Sequence, residues 1–185
     1  MNKVIALSIM SFAMLISSSS FAMSKAEASK ILLSVAVEGN AEGVYQMISQ
    51  GANIDIKDNT GRTPLLNAIV AGQIEIVSIL LAKGANVNHE DNKGSTALIL
   101  ACENNYPVIT EMVSKYGADF QHKNNEGFSA LMISSLHGRD DIVAQLVSAG
   151  ATKGFAKDSD GNSLDIKKNK QRPVVPSTRQ FYAGL

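Results

Sequence analysis

The chain has 185 residues, with 17 basic and 17 acidic side chains, one cysteine and no tryptophan. This length leaves no room for a large multidomain enzyme, and the balanced charge gives no long-range field that would attract nucleic acid. The single cysteine excludes an intrachain disulfide and any metal site built from several cysteines.

The segment over residues 1–22 has the layout of a secretory signal peptide. Lys3 precedes an almost wholly apolar run over residues 4–16, and Ser20 and Ala22 supply the small residues of a cleavage site. The apolar run is shorter than the ~20 residues that cross a bilayer, so a retained anchor is the weaker interpretation. We expect cleavage after Ala22 and no stable membrane insertion afterwards. The lack of cysteine pairs in an exported chain favours the bacterial periplasm.

From residue 25 onward the sequence repeats at a constant interval, which is the separation in sequence between Gly51 and Gly84. This interval is called the repeat step. Gly-Ala pairs keep this step, and they begin at Gly51, Gly84, Gly117 and Gly150. A fixed period of this length is typical of a stack of small units, none of which buries its apolar face alone. The units lie at about residues 25–57, 58–90, 91–123 and 124–157, followed by a degraded cap at 158–169.

The second unit explains the repeat in physical terms. Thr63 is placed to cap a helix that begins at Pro64, where a missing N–H costs nothing. Gly72 ends this helix in a left-handed conformation, and a second helix is predicted over residues 74–82. The chain up to Asp91 is then expected to run as an extended finger toward the next Asp-x-x-Gly turn.

The other units depart from this pattern at interpretable places. Lys30 replaces the capping threonine, as expected for an end unit. Asn105 replaces the helix-ending glycine and tolerates the left-handed conformation, and Pro107 falls in the first turn of a helix, where proline is allowed. From Lys167 on the chain has five basic and no acidic side chains, against 11 basic and 17 acidic ones over residues 23–166. Residues 170–185 are interpreted as a basic, extended tail.

One unit carries a family resemblance. It runs from Asp58 to Asn88, with a Thr-Pro-Leu start at Thr63 and a Gly-Ala-Asn finish at Gly84. This unit resembles the ankyrin repeat, and the resemblance covers about residues 25–157. It implies an all-α repeat solenoid, a stack of helix-turn-helix units with β-hairpin fingers. It also implies a monomeric, non-enzymatic module that binds another protein through a concave groove and its finger tips.

The family's contact positions give candidate partner-binding residues in this sequence. In the groove these are Arg62, Val70, Ala71, Lys83, Glu103, Asn104, Tyr116, Phe128, Leu136 and His137. At the finger tips they are Asn59, Thr60, Asn92, Lys93, Asn125 and Glu126. Apolar side chains at sites that should face water are typical of an interface centre, and this applies to Val70, Tyr116, Phe128 and Leu136. The alternative for each of these four is packing on a neighbouring finger.

The sequence gives less support to an enzymatic or metal-binding function. No Gly-Lys-Ser phosphate loop and no Gly-x-Ser-x-Gly elbow are present, and Cys102 is expected to be a buried, inert thiol. His89 and His122 lie one repeat apart and are interpreted as solvated finger residues. Together with His137 they leave a haem or metal-ion carrier as the alternative function. Acidic residues around Gly161 faintly resemble a calcium loop, although they also form the Asp-x-x-Gly turn.

The resemblance to secreted bacterial ankyrin modules implies two types of partner. One is a toxin enzyme, which the protein would neutralise as an immunity protein. The other is a redox or haem enzyme such as a catalase, which the protein would help to mature or protect from oxidants. The residues do not separate the two types. A tethering role, in which the basic tail touches anionic lipid, is a further alternative.

Overall fold

A computed structural model describes residues 23–151. The helices of this part are α1 (Lys25–Glu38), α2 (Ala41–Ser49), α3 (Pro64–Val70), α4 (Ile74–Ala82), α5 (Ala97–Glu103), α6 (Pro107–Lys115), α7 (Ala130–Leu136) and α8 (Asp140–Ser148). They form four antiparallel pairs, each joined by a short turn. The first members of the pairs, α1, α3, α5 and α7, pack on one another in order as a first row, and α2, α4, α6 and α8 form a second row. This confirms the all-α repeat solenoid.

Local chemistry determines where the helices of the inner units begin and end. Thr63 caps α3 by accepting a backbone hydrogen bond, and Pro107 occupies the first position of α6. Gly72, with φ of 70°, and Asn105, with φ of 60°, follow α3 and α5 in the left-handed conformation. These ends, and the second-row helix Ile74–Ala82, agree with the prediction from the sequence.

The first unit differs from this pattern because α1 begins upstream of the position that the repeat indicates. Lys30 lies inside the helix, and Ser24 is the N-cap. The Ser24 hydroxyl accepts a hydrogen bond from the Glu27 N–H at 3.2 Å, and the Glu27 carboxylate accepts one from the Ser24 N–H at 3.0 Å. This capping box starts a helix that is twice as long as α3. Position 30 therefore marks no helix start.

The loops that join one pair to the next are called fingers, and they comprise residues 53–63, 86–96 and 119–129. The expected β-hairpins are not found in residues 23–151, where a single isolated antiparallel bridge joins Lys123 to Ser129. The fingers instead bond to one another, since the Asn92 N–H donates to the Thr60 carbonyl at 2.9 Å and the same bond recurs one unit later. Backbone bonds within a finger are confined to its turn, and bonds between units take the place of a longer ladder.

The core is aliphatic and runs through the whole stack. Spaced by the repeat step, Leu32, Leu65, Leu98 and Leu131 of the first row are at most 4% exposed. On α4, the predicted face of Ile76, Val77, Leu80 and Leu81 is buried. Ile79 is buried as well, which the helical spacing did not predict. An inner second-row helix has neighbours on both sides, so a wider part of its surface is covered.

Some predictions fall outside residues 23–151. They are the signal peptide over residues 1–22, the cap over 158–169 with its calcium-like residues, and the basic tail over 170–185. Within the described range, no helix combines the length and the apolar character that crossing a membrane requires.

Candidate protein-binding surface

An asparagine ladder joins the finger tips. The Asn92 side-chain amide donates to the Asn59 carbonyl at 3.1 Å, and the Asn125 amide donates to the Asn92 carbonyl at 3.2 Å. The backbone N–H groups of Asn92 and Asn125 donate to the preceding finger as well. These two predicted tip residues therefore connect the units, and their exposed neighbours Lys93 and Glu126 present the side chains of the tips.

Each finger turns around one Asx side chain. Asp58 Oδ1 accepts hydrogen bonds from the N–H groups of Thr60 and Arg62 at 2.8 and 3.0 Å, and from the Thr60 hydroxyl at 2.7 Å. Asp91 and Asn124 accept the equivalent pair of backbone bonds in the next two fingers. Such Asx turns fix the path of the finger backbone. The predicted tip residue Thr60 is thereby bound into its own turn.

The hydrogen bonds in the first of these turns also set the ionisation of Asp58. Burial alone would raise the pKa of its carboxyl group. Hydrogen bonds from the side chains of Thr60 and Asn67 and from the N–H groups of Arg62 and Thr60 outweigh burial, and they lower the pKa to about 2. The turn is therefore built around a carboxylate, and protonation would weaken it.

The surface between the fingers and the carboxyl ends of the first-row helices is called the groove. The Arg62 Nε lies 3.5 Å from Oδ2 of Asp91, whose side chain is 3% exposed. The pKa of Glu103, the last residue of α5, is raised first by burial and then by Asp91 and Glu126, while Lys93 and Arg62 lower it. Charges of three successive fingers thus act on this carboxyl group. The predicted residues Arg62, Lys93 and Glu126 thus all lie within electrostatic reach of the predicted residue Glu103.

The turns within the helix pairs form a second edge of the molecule, the turn edge, which comprises residues 37–40, 70–73, 103–106 and 136–139. There the Gln73 amide donates to the Val37 carbonyl at 3.0 Å, and the Arg139 guanidinium donates to the Glu103 carbonyl at 2.9 Å. Tyr106 lies against the glycine that follows α3, where a Cβ would come 3.0 Å from its hydroxyl oxygen. Three different side chains therefore reach back to cover the end of the preceding first-row helix.

The four apolar candidates divide into two pairs. Leu136 and Tyr116 are each 51% exposed. Val70 and Phe128 are partly buried and pack against the core, so the packing alternative describes them. Leu136 therefore remains as the exposed apolar candidate on the turn edge.

Tyr116 and Lys83 lie apart from the turn edge. Both residues follow the carboxyl ends of second-row helices. Because the paired helices are antiparallel, these ends point away from the turns that hold Leu136. The Lys83 ammonium lies 5.5 Å from the centre of the Tyr45 ring on α2, in a cation–π arrangement on the second row. The structure therefore separates Lys83 and Tyr116 from the candidates on the turn edge.

The remaining groove candidates, Ala71, Asn104 and His137, are exposed on the turn edge. The Asn104 amide donates to the Leu100 carbonyl at 2.8 Å. His137 Nδ1 donates to the Ile133 carbonyl at 2.9 Å. Both side chains bond back to the helix that they follow, which holds them in place at the rim of the groove.

The finger histidines link neighbouring units and are not simply solvated as predicted. His122 Nε2 donates to the Gly94 carbonyl at 2.8 Å, and His89 Nε2 lies 3.7 Å from the Asp55 carboxylate. The two side chains are 20% and 30% exposed. Among residues 23–151, no group of three or more histidine, cysteine or acidic side chains is arranged to hold a metal ion.

Cys102 is a buried thiol, as predicted. Its side chain is 0% exposed, and its Sγ lies 4.0 Å from the Thr110 hydroxyl. Burial raises the pKa of the thiol, although hydrogen bonds with Ser134 and Thr110 act in the opposite direction. A higher pKa lowers the thiolate fraction at neutral pH, and with it the reactivity of the thiol.

Comparison with known families agrees with this architecture. The model described as "Ankyrin repeats (3 copies)" matches residues 31–124 and 91–158. No curated protein matches the sequence significantly. The matched residues cover more than half of the chain, and they include the fingers and all of the two rows of helices except the start of α1. The chain therefore belongs to the ankyrin-repeat family.

Proposed function

We propose that the protein is a non-enzymatic module that binds a partner protein through the groove and the adjoining part of the turn edge. The observation that carries this proposal is the exposure of Leu136. This leucine is 51% exposed and follows Glu103 by one repeat, at the rim of a groove lined by charged finger side chains. An exposed apolar side chain with a polar surround is typical of the centre of a protein interface.

We place this function in the bacterial periplasm. The support is the signal-peptide layout of residues 1–22 and the lack of cysteine pairs. The likeness to secreted bacterial ankyrin modules supports a partner enzyme in the same compartment. That enzyme is a toxin neutralised by the protein, or a catalase or other redox enzyme that it assists. A fusion of residues 1–24 to a reporter that is active only after export tests the location, and a fusion that stays in the cytoplasm contradicts it.

Affinity capture from periplasmic extract tests the binding surface. Leu136→Asp places a charge in the proposed interface, whereas Val108→Asp does so at an equally exposed apolar residue on the second row. We expect Leu136→Asp to reduce the recovered partner at least tenfold and Val108→Asp to leave it unchanged. Thermal melting of both variants checks that the fold is kept. Equal recovery with the two variants would contradict a groove-based function.

A further inference from the structure

The charges of the groove are only partly balanced. The Arg62 Nε lies 3.5 Å from Oδ2 of the buried Asp91 carboxylate, so the positive charge of Arg62 is balanced mainly within the stack. The other charged groove side chains that act on Glu103 are Lys93 and Glu126. The Arg139 guanidinium also lies nearby, on the Glu103 carbonyl, but neither Lys93 nor Arg139 forms an ion pair with Glu103 or Glu126 within 4.0 Å, so these two carboxylates have no ion-pair partner among residues 23–151.

The Glu103 carboxylate receives little support from the protein itself. Its backbone carbonyl accepts the hydrogen bond from Arg139, whereas its carboxylate has no ion pair within 4.0 Å in the part of the chain that the structure describes. The neighbouring atoms and the acidic side chains of Asp91 and Glu126 disfavour its charged form. A positively charged group of a partner would stabilise the charged form of Glu103, because opposite charges attract strongly where water is partly excluded.

An apolar side chain stands next to this carboxylate at a fixed spacing. Leu136 follows Glu103 by one repeat step, so the two occupy equivalent positions on the neighbouring helices α7 and α5. Packed helices lie about 8–10 Å apart, which sets the approximate distance between the two positions. An extended chain rises about 3.3 Å per residue, so two or three residues cover this distance.

We propose that the groove takes an extended segment of the partner with a lysine or arginine two or three positions from a bulky apolar residue. The basic side chain meets Glu103 and Glu126, and the apolar one covers Leu136. This inference rests on the proposed function, whose surface it uses. Residues 23–151 carry 9 basic and 14 acidic side chains, and this overall charge favours the approach of a basic segment.

A library of random 12-residue peptides, displayed on phage and selected on the purified protein, tests the proposal. We expect the selected peptides to share a lysine or arginine two or three positions from leucine, isoleucine, methionine, phenylalanine or tryptophan. A labelled peptide of that pattern should bind Glu103→Gln about tenfold more weakly and with a smaller dependence on salt. Glu75→Gln, which removes an exposed carboxylate on α4, is the matched control and should change binding less than twofold.

Different failures lead to different conclusions. The first case is that the selected peptides show no preference for basic residues and bind Glu103→Gln normally, whereas Leu136→Asp abolishes their binding. The proposed basic segment is then wrong, while the groove remains the binding surface. If Leu136→Asp weakens none of the selected peptides, the proposed function falls as well. If peptides bind only after deletion of residues 167–185, the chain's own basic segment occupies the groove, and this overturns an external occupant.

Discussion

The fingers and the turn edge are made from the same four repeats, yet they use side chains differently. At the fingers one residue type recurs, since Asn92 and Asn125 each bond to the unit before them. At the turn edge three residue types, Gln73, Tyr106 and Arg139, reach back to the preceding helix end. The asparagine ladder needs an amide donor and a backbone acceptor at fixed positions. The exposed turn can be covered by any side chain of sufficient length.

This difference indicates where specificity for a partner can reside. The equivalent turn-edge positions Val37, Val70, Glu103 and Leu136 differ from unit to unit. Stacking uses the side chain of Val70, but it leaves those of Val37, Glu103 and Leu136 exposed. Positions that stacking does not use can vary without loss of the fold. If the comparison holds, substitutions at the fingers reduce stability and substitutions at the turn edge reduce binding.

Among substitutions at the fingers, the largest loss of stability is expected from Asp91→Ala. This buried carboxylate accepts hydrogen bonds from the N–H groups of Lys93 and Ser95, each at 2.9 Å, and it lies 3.5 Å from the Arg62 Nε. Its removal leaves buried donors without an acceptor, and we expect the free energy of unfolding in urea to fall by about 2–4 kcal/mol. Asp91→Asn keeps the acceptor, as Asn124 does one unit later, and should cost about 1 kcal/mol. Equal losses would mean that the charge, and not the turn, matters.

Two glycines with the same backbone conformation allow the contribution of the asparagine ladder to stability to be measured apart from backbone strain. Gly94 has φ of 72° and Gly127 has φ of 84°, so alanine is strained at both by about 1–2 kcal/mol. A Cβ at Gly94 would come 2.5 Å from the Asn125 side-chain oxygen, whereas a Cβ at Gly127 would meet nothing within 4 Å. Gly94→Ala should therefore destabilise the protein by about 1–2 kcal/mol more than Gly127→Ala in urea unfolding. No difference would show that the tip contact contributes little.

Acid should weaken the finger turn of Asp58. The pKa of this group is lowered from 3.8 to about 2 in the folded protein, so its stabilising effect is complete above about pH 4 and disappears as the pH falls toward 2. Solvent screening reduces the expected contribution to about 1–2 kcal/mol. Thermal melting of the protein and of Asp58→Asn between pH 6 and pH 2 measures it. The variant should lose less stability in acid, and parallel curves would contradict the role of this carboxylate.

The smallest effects on stability are expected at the turn edge. Glu103→Gln and Leu136→Ala should each change the free energy of unfolding by less than about 0.5 kcal/mol, because both side chains are exposed. Leu131→Ala, on the same helix as Leu136 but 4% exposed, should cost about 2–5 kcal/mol. A loss above about 1 kcal/mol at Glu103 or Leu136 would show that stacking uses these residues after all.

The sequence predicted those parts of the fold that depend on chemistry within one unit. Thr63, Gly72 and Asn105 set helix ends through their own conformations and caps, so these ends were predictable. The start of α1 is also readable in the sequence as the capping-box pair Ser24 and Glu27, but the repeat indicates a start at Lys30, because the end unit departs from the shared pattern. The β-hairpins were not found because backbone bonds within a finger are confined to its turn, as between the Asp58 N–H and the Arg62 carbonyl at 2.9 Å, and the remaining finger bonds go to the neighbouring unit.

The candidate site was predictable only in part for a related reason. The regular spacing of Asn59, Asn92 and Asn125 is visible in the sequence, but their hydrogen bonds between units depend on stacking geometry. The period alone also does not reveal which end of a helix pair a residue occupies. For this reason the predicted set of groove residues includes Lys83 and Tyr116, which the antiparallel helices separate from the turn edge.

The asparagine ladder also bears on how a protein of this kind can change its length. The junction of the second and third units and that of the third and fourth use the same donors and acceptors. A duplicated copy of residues 91–123, inserted after itself, would find hydrogen-bonding partners on both sides without further substitution. The groove can thus lengthen by one repeat step at a time, so a larger partner can be accommodated by one more copy while the existing contacts stay as they are.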